Sequence, residues 1–375
     1  MPRCVTRRFF GGELITRWRY KRYVGAAMLS RTADHLYWMA RYIERAENMA
    51  RMLEVTYRMS LVQNAAQSEA ALWVPLLHIS DTVKEFHANY DEVTARNVIY
   101  YIALDERNLS SIYSCLRAAR ENAHAVRVAM SSEMWENINS LWLEFQQMDK
   151  KLIMDNSLSE FCDWVKSRSH LFRGVTYGTM LRDDGFRFTR LGGFIERAAD
   201  DMARLLDVKY HLLLPSASDV GGAVDYYEWS ALLRSASAYE AYLKVYRDAV
   251  MPLRVAELLV LRQDMPRSLH ACMHELTIVL EQLSGNAGNE CKRLAGEMYS
   301  GLRYGRMEDI FRNGLHEFLE AFLRQNNRLG IQIQRTYLNA PSLNESGLDT
   351  PKPDSPSLDS IGADELEHTL EQSQS

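Results

Sequence analysis

The chain has 375 residues, of which 47% are hydrophobic and 25% are charged, and its formal net charge is −5. A chain of this length and composition can bury a core of ordinary size and fits one large or two medium domains. Between two charged ends, the middle of the chain carries −4 with both signs interspersed, which excludes a basic face and makes nucleic acid an unexpected partner.

The first segment, residues 1–27, is basic, with seven Arg or Lys against Glu13 and no helical periodicity. We interpret it as a basic extension that is disordered or lies upstream of a true start at Met28. Its Arg-Arg pair is followed by further arginines and not by the apolar stretch that an export signal requires. No apolar run in the chain approaches the ~18 residues of a membrane span, so we expect no membrane association.

Helical patterns then continue almost without a break as far as residue 339. Apolar residues recur at three- and four-residue steps, and no long alternating strand pattern appears. We predict helix starts at Ser30, Asn108 and Asp264, a turn at residues 182–186 and a loop at residues 212–225.

The last segment, residues 340–375, is acidic, with eight Asp or Glu against Lys352 and no aromatic residue. It cannot bury enough apolar surface to order itself, so we expect an acidic disordered tail. The five cysteines of the whole chain include no closely spaced pair and leave an odd one. This pattern is typical of reduced thiols in the cytoplasm.

One helical sequence motif occurs twice in the chain. Residues 43–46, Ile-Glu-Arg-Ala, recur at 195–198 with an offset of 152, and Met-Ala-Arg at 49–51 recurs at 202–204 with an offset of 153. Farther along the chain, matching residues are 156 and then 157 positions apart. An offset that grows slowly while the order of elements is kept indicates a tandem duplication with small insertions.

The expected fold class is therefore all-α, a helical bundle built from a tandem duplication of a multi-helix unit. The first repeat spans residues 28–182 and the second spans residues 183–339. Two such units pack most simply face to face about a pseudo-twofold axis. The extra residue in the second copy is expected to form a π-bulge between Ala198 and Asp201, because an insertion otherwise rotates the rest of the helix by about 100°.

The duplicated helix has an apolar side and a polar side. On the polar side of the first copy, Glu44 is spaced to pair with Arg41 and with Asn48 inside the helix. We call the polar sides of both copies the polar stripe and take it as a candidate ligand or partner site. Its residues are Tyr37, Arg41, Glu44, Arg45, Asn48, Arg51, Glu196, Arg197, Asp200 and Arg204.

Two interpretations of the polar stripe are open. A solvated face with surface ion pairs is ordinary for a single amphipathic helix. The same charges in both copies favour facing stripes between the repeats, as a buried network that fixes their register or a pocket for a carboxylate-bearing ligand. If the stripe is such a site, a Glu44→Ala variant should stay folded and lose its ligand or partner.

Motifs for catalysis or metal binding are missing from the sequence. It contains no P-loop, no glycine-rich dinucleotide motif and no nucleophile elbow. The pairs His274-Glu275 and His316-Glu317 lack the second histidine of a zinc-protease helix, and the Glu-x-x-His spacing of a di-iron bundle occurs once in the folded part, at Glu121. We expect no metal and no cofactor, and no catalytic residue can be named.

Several long segments together resemble the bacterial alpha-E domain family over about residues 28 to 338. They include MLSRTADHLYWMARYIERAENMARMLEV, RLGGFIERAADDMARLLDVKYHLLLP and LHEFLEAFLRQNNRLGIQIQRTYL. The resemblance implies an all-helical protein without an established activity. It also implies a gene that lies beside those of ATP-grasp amide ligases and transglutaminase-like proteins. The extra residue near Ala199 departs from the family spacing.

Two functional hypotheses follow. The first, from the resemblance, is an accessory protein of an ATP-grasp-type ligase or a transglutaminase-like protein that forms or modifies peptides. The second is an enzyme of peptide or amide metabolism that uses the Arg and Glu side chains of the polar stripe for acid–base work. A dry, fully paired interface between the repeats would favour the first, and a wet cavity that holds both stripes would favour the second. The oligomeric state does not follow from the sequence.

Overall fold

The computed structural model describes residues 28–62, 69–198, 203–211, 223–283 and 288–338. The predicted basic extension, residues 1–27, and the predicted acidic tail, residues 340–375, lie outside the described residues, as does Asp200 of the polar stripe.

Seventeen α-helices make up most of the described residues, and no strand occurs among them, which confirms the all-α fold class. A 3₁₀ turn at Arg127–Ala129 and a π-helical turn at Gln334–Leu338 are further helical elements. In chain order the α-helices are α1 (Ser30–Val62), α2 (Glu69–Ile79), α3 (Val83–His87), α4 (Ala95–Ala103), α5 (Ile112–Ala125), α6 (Ser132–Gln147), α7 (Lys150–Asp155), α8 (Leu158–Thr179), α9 (Asp184–Glu196), α10 (Arg204–His211), α11 (Ala223–Ser235), α12 (Tyr239–Tyr246), α13 (Pro252–Val260), α14 (Leu269–Gln282), α15 (Asn289–Tyr304), α16 (Met307–Asn313) and α17 (Leu315–Ile333).

Of the three predicted helix starts, only Ser30 is correct. Asn108 and Asp264 each precede the true start, because α5 is capped by Ser111 and α14 by Ser268. The hydroxyl oxygen of each serine accepts the backbone N–H three residues on, at 3.1 and 3.0 Å. A capping oxygen satisfies a donor that the helix itself leaves without a partner, and these serines lie where the first turn begins.

The predicted turn, residues 182–186, and the predicted loop, residues 212–225, both extend into a helix. The turn ends at Asp183, whose carboxylate accepts the N–H of Phe186 at 3.2 Å and caps α9. The last three residues of the predicted loop, 223–225, already belong to α11, and residues 212–222 lie outside the described part of the chain.

Helix α1 lies at the centre of the molecule, where α5, α8 and α9 pack around it. The residues of its predicted apolar side, such as Leu36, Ile43 and Leu53, are fully buried. The predicted polar side is buried as well, including Glu44 and Asn48, because α8 and α9 cover it. The stripe is therefore not a solvated face.

Helices α1 and α9 run parallel and in close contact. A Cβ on Gly185 would lie 3.1 Å from Cε of Met28, and about three turns later Glu196 reaches Arg41 and Arg45 of α1. Between these points a Cβ on Gly192 would collide with the carbonyl oxygen of Tyr37. The absent side chain of Gly192 thus lets the two helix backbones touch.

The helices of the second half follow those of the first in the same order. Helix α5 packs on α1 as α14 packs on α9, and the contacts α5–α6 and α6–α8 are matched by α14–α15 and α15–α17. A tandem duplication would produce this arrangement, although the duplication itself stays a prediction. The single helix α1 corresponds to two helices, α9 and α10, in the second half.

The predicted π-bulge falls between α9 and α10. Arg197, Ala198 and Ala203 have π-helical backbone hydrogen bonding, and residues 199–202 lie outside the described residues. The described flanks of the insertion thus have the geometry expected for one extra residue in a helix.

Candidate functional site

The parallel packing of α1 and α9 places the two Glu-Arg pairs of the recurring motif opposite each other. Arg197 donates to Glu44 from Nε at 2.7 Å and from Nη2 at 2.8 Å. In the reverse direction, Glu196 accepts from Nε of Arg45 at 2.5 Å and from Nε of Arg41 at 2.7 Å. Each half therefore binds the carboxylate of the other with its own arginine, as a self-complementary interface about a twofold axis would.

A third carboxylate, Glu47, lies one turn farther along α1 and was missed by the sequence analysis. Its side chain is fully buried and accepts from Arg51 at 2.5 Å, from the Ser169 hydroxyl at 2.5 Å, and from Arg173 and Arg267. Its spacing of three residues from Glu44 and four from Arg51 was a signal for it. No local signal marked Arg173 or Arg267, because they come from α8 and from the loop before α14.

Glu44 and Glu47, both on α1, share arginines. Arg173 reaches both Glu44, at 3.1 Å, and Glu47, and Arg267 likewise lies against both. Buried carboxylates of this kind are stable only when paired with charge and hydrogen-bonded, and both conditions hold here. We call the whole group the arginine–glutamate network; its members are Glu44, Glu47, Arg51, Ser169, Arg173, Arg197 and Arg267.

Burial of Glu44 would raise the pKa of its carboxyl, but Arg197 and Arg173 outweigh that cost and hold the pKa below its ordinary value. Burial acts in the same direction on Glu47, where Arg267 and Arg173 lower the pKa well below the ordinary value. Both groups are thus ionised at neutral pH.

A second reciprocal contact joins the halves at the Met-Ala-Arg part of the motif. Arg51 donates to the hydroxyl of Ser237 in the turn after α11, and Arg204 lies 3.0 Å from the carboxylate of Asp81 in the turn after α2. Ser237 and Asp81 both have left-handed backbone, with φ of 52° and 54°. Non-glycine residues adopt this conformation at a cost, so the matching turns are held in place by their surroundings.

The structure brings most of the predicted polar stripe together, with different partners. Arg41 binds Glu196 and not Glu44, so the predicted pair within α1 is wrong. Neither amide atom of Asn48 has a hydrogen-bond partner among the described residues, so its predicted bond to Glu44 is also absent. Tyr37 is buried, with the Arg41 guanidinium 5.6 Å from its ring centre. Asp200 lies outside the described residues.

The network reaches solvent at His170 of α8. Its ring is 57% exposed, and Nε2 lies 3.0 Å from Nη2 of Arg51 and 3.5 Å from the Glu47 carboxylate. Arg173, also on α8, is 27% exposed, and the other members of the network are largely buried between α1, α8, α9 and the start of α14.

The described residues contain no cluster of three or more His, Cys, Asp or Glu side chains with metal-binding geometry. The glutamates of the network face guanidinium groups, which compete with a cation for the same oxygens. Within the described part of the chain, no helix is both long enough and apolar enough to cross a membrane.

One protein family and several known proteins are similar in sequence to this chain. A family model described as a predicted alpha-helical domain with a conserved ER motif matches residues 28–338. Uncharacterised proteins of Mycobacterium tuberculosis and Mycobacterium bovis are similar to the chain, with 25% identity over 320 residues. The match covers 78% of this chain but 35% of each relative, so the chain spans about a third of their length. No solved structure matches. With its two interlocked Glu-Arg pairs and a match across most of its length, the chain belongs to the Alpha-E family.

Proposed function

We propose that this chain is a non-catalytic helical accessory protein that binds an ATP-grasp-type amide ligase in a cytoplasmic system that forms or modifies peptides. The observation that carries the proposal is that the described carboxylates of the polar stripe already have partners within the protein. Its carboxylates are bound by arginines of the opposite half and are buried between helices. Ion pairs that are buried between two packed units fix how those units are arranged.

The electrostatics of the network weigh against the alternative, an enzyme that uses the same residues for acid–base chemistry. A catalytic carboxyl acid works best with a pKa raised toward the operating pH. Glu44 and Glu47 have their pKa lowered instead. At neutral pH they hold no proton to donate, and as strongly stabilised anions they are weak bases.

The relatives support a role beside a second protein. In the mycobacterial proteins the matched region makes up 35% of the chain, so a domain like this one is covalently joined to further sequence. A domain that works within a longer chain in its relatives is consistent with a role beside another protein. The choice of an ATP-grasp-type ligase, with a transglutaminase-like protein as the second candidate, rests on the family resemblance.

The test is reconstitution from purified proteins. The chain is mixed with the ATP-grasp-type ligase encoded in the same genome and, separately, with the transglutaminase-like protein, and the mass of each mixture is measured by size-exclusion chromatography with light scattering. A stable complex with the ligase is expected. A complex with the transglutaminase-like protein alone would reassign the partner.

Two results would overturn the proposal. One is the absence of a complex with either protein. The other is an amide-forming or amide-cleaving activity of the chain alone that a folded Glu196→Gln variant loses. The conservative Gln variant keeps the size of the side chain, so its circular dichroism and melting temperature report whether loss of activity is separate from loss of fold.

A further inference from the structure

One end of the bundle exposes large apolar side chains. Leu29, just before α1, is 77% exposed, and Leu181, just before α9, is 78% exposed. Val128, in the 3₁₀ turn after α5, is 93% exposed. Leu29 and Leu181 are 152 positions apart, the same offset as the two Glu-Arg pairs, so a leucine precedes each of the two helices that carry the motif. We call these three residues the leucine end.

Contacts below the surface show that these side chains share one end of the molecule. Met28 lies against Gly185 at the start of α9, as described above. The Tyr177 ring, at the end of α8, packs edge-on against Phe186 at 5.4 Å. The hydroxyls of Ser131 and Thr179 lie 2.5 Å apart and tie the 3₁₀ turn that holds Val128 to the end of α8.

Both ends of the described chain lie at the leucine end. The first described residue, Met28, contacts the first turn of α9. Near the last described residue, the Tyr337 ring lies 5.7 Å from Phe188 of the same turn region. Additional sequence joined to either terminus of such a domain therefore starts from this end. In the mycobacterial relatives most of the chain lies outside the match.

The rim of the leucine end carries positive charge. Arg31, Arg127 and Arg182 are exposed around it, and none of them forms an ion pair with another described residue. Two exposed carboxylates lie at the same end, Asp183, which caps α9, and Glu133 in the first turn of α6, so the exposed arginines outnumber them by three to two. Exposed apolar side chains inside a polar rim are typical of protein interaction surfaces, and a basic rim selects a partner whose own rim is acidic.

We propose that the leucine end is the surface on which the partner ligase docks, with an apolar centre and an acidic rim on the ligase side. This inference rests on the proposed function and adds the location of the interface. The partner occupies the end from which additional sequence would start in the longer relatives. It leaves the arginine–glutamate network inside the fold.

The test compares two variants of the full chain for binding to the purified ligase by titration calorimetry. The first is the double variant Leu29→Asp/Leu181→Asp, which places charge in the centre of the proposed interface. The control is Leu152→Asp on α7, a leucine that is 51% exposed and lies beyond the far end of α6. Melting temperatures confirm that each variant is folded. We expect Kd to rise by about ten-fold or more for the double variant and to stay unchanged for the control.

The other outcomes count against the inference in distinct ways. If the ligase binds the wild type and both variants equally, the leucine end is not the interface, while the accessory function stands. If the double variant converts a dimer of the wild-type chain into monomers and leaves ligase binding unchanged, a second copy occupies this surface. If the ligase does not bind the wild type at all, the proposed function with this partner fails, and the inference fails with it.

Discussion

The two halves of the molecule share the crossing of α1 and α9 but differ in what surrounds their carboxylates. In the first half, Glu44 and Glu47 are enclosed by arginines from three other segments. In the second half, Glu196 is held by Arg41 and Arg45, both of which come from α1.

The difference arises from the flanking helices. Helix α8 supplies Ser169 and Arg173 to the first half. The corresponding positions of α17, 157 residues on, are Asn326 and Gly330, and Asn326 donates to the carbonyl oxygen of Ile195 at 3.2 Å. Two halves built on one motif can thus keep the same crossing while their flanking helices supply different groups to it. We therefore expect the halves to differ in how much stability their charges contribute.

The largest effect should come from Glu47→Ala. The change leaves Arg51, Arg173 and Arg267 without their shared carboxylate in a buried setting, and the free energy of unfolding should fall by about 3–5 kcal/mol. Urea denaturation measures the loss. Glu44→Ala should behave similarly, which reverses the expectation from the sequence that it would stay folded and lose only its partner.

Glu196→Ala tests whether the charges of the second half contribute less stability than those of the first half. Its two arginines keep cation–π contacts with aromatic rings of α1, so a smaller loss of about 1–3 kcal/mol is expected. The exposed Glu133, at the start of α6, serves as a control whose replacement by Ala should change stability by less than about 0.5 kcal/mol. Equal losses for Glu47→Ala and Glu196→Ala would show that the halves are energetically equivalent.

Acid should weaken the arginine–glutamate network. The pKa of Glu44 and of Glu47 is lower in the folded state than in the unfolded state, so their contribution is complete above the unfolded value of about 4.3. It is lost as pH falls from there through the folded values. Unfolding titrations between pH 7 and pH 3 should therefore show a steep decline for the wild type. The slope should be shallower in Glu47→Gln, and identical slopes would contradict the assignment.

An intermediate effect is expected at the helix crossing. In Gly192→Ala the new methyl group would meet the Tyr37 carbonyl and push α1 and α9 apart, with a loss of about 1–3 kcal/mol. A methyl group on the neighbouring Gly193 would meet no atom within 4 Å, so Gly193→Ala should stabilise α9 by about 0.5–1 kcal/mol. Thermal melting of both variants checks the sign of each change.

The smallest effect should appear at the left-handed turns. Asp81→Gly removes backbone strain and loses only an exposed ion pair with Arg204, so a gain of about 0.5–1 kcal/mol is expected. Ser237→Gly relieves the same strain but also loses the bond to Arg51, so its net effect should be near zero. A larger gain for Ser237→Gly than for Asp81→Gly would show that the Arg51 contact adds no stability.

Much of the fold was accessible from the sequence. The spacing of apolar residues predicted the helices, because helical periodicity is a local property of the sequence. The recurrence of Glu-Arg-Ala likewise identified α1 and α9 as the two helices that carry the charged motif. The helix starts at Ser111 and Ser268 were missed by three and four residues, since several neighbouring residues can cap a helix and packing selects among them.

The sequence by itself determined that this protein is helical, that one charged motif occurs twice, and which side chains stand three or four positions apart on one helix. Apart from the local Glu47–Arg51 pair, tertiary structure decided which carboxylate meets which arginine. Neighbours within a helix compete with groups from other helices, and packing brought Arg197, Arg173 and Arg267 to Glu44 and Glu47. Burial then strengthened those contacts, because an ion pair shielded from water by surrounding helices is screened far less than the same pair on a surface.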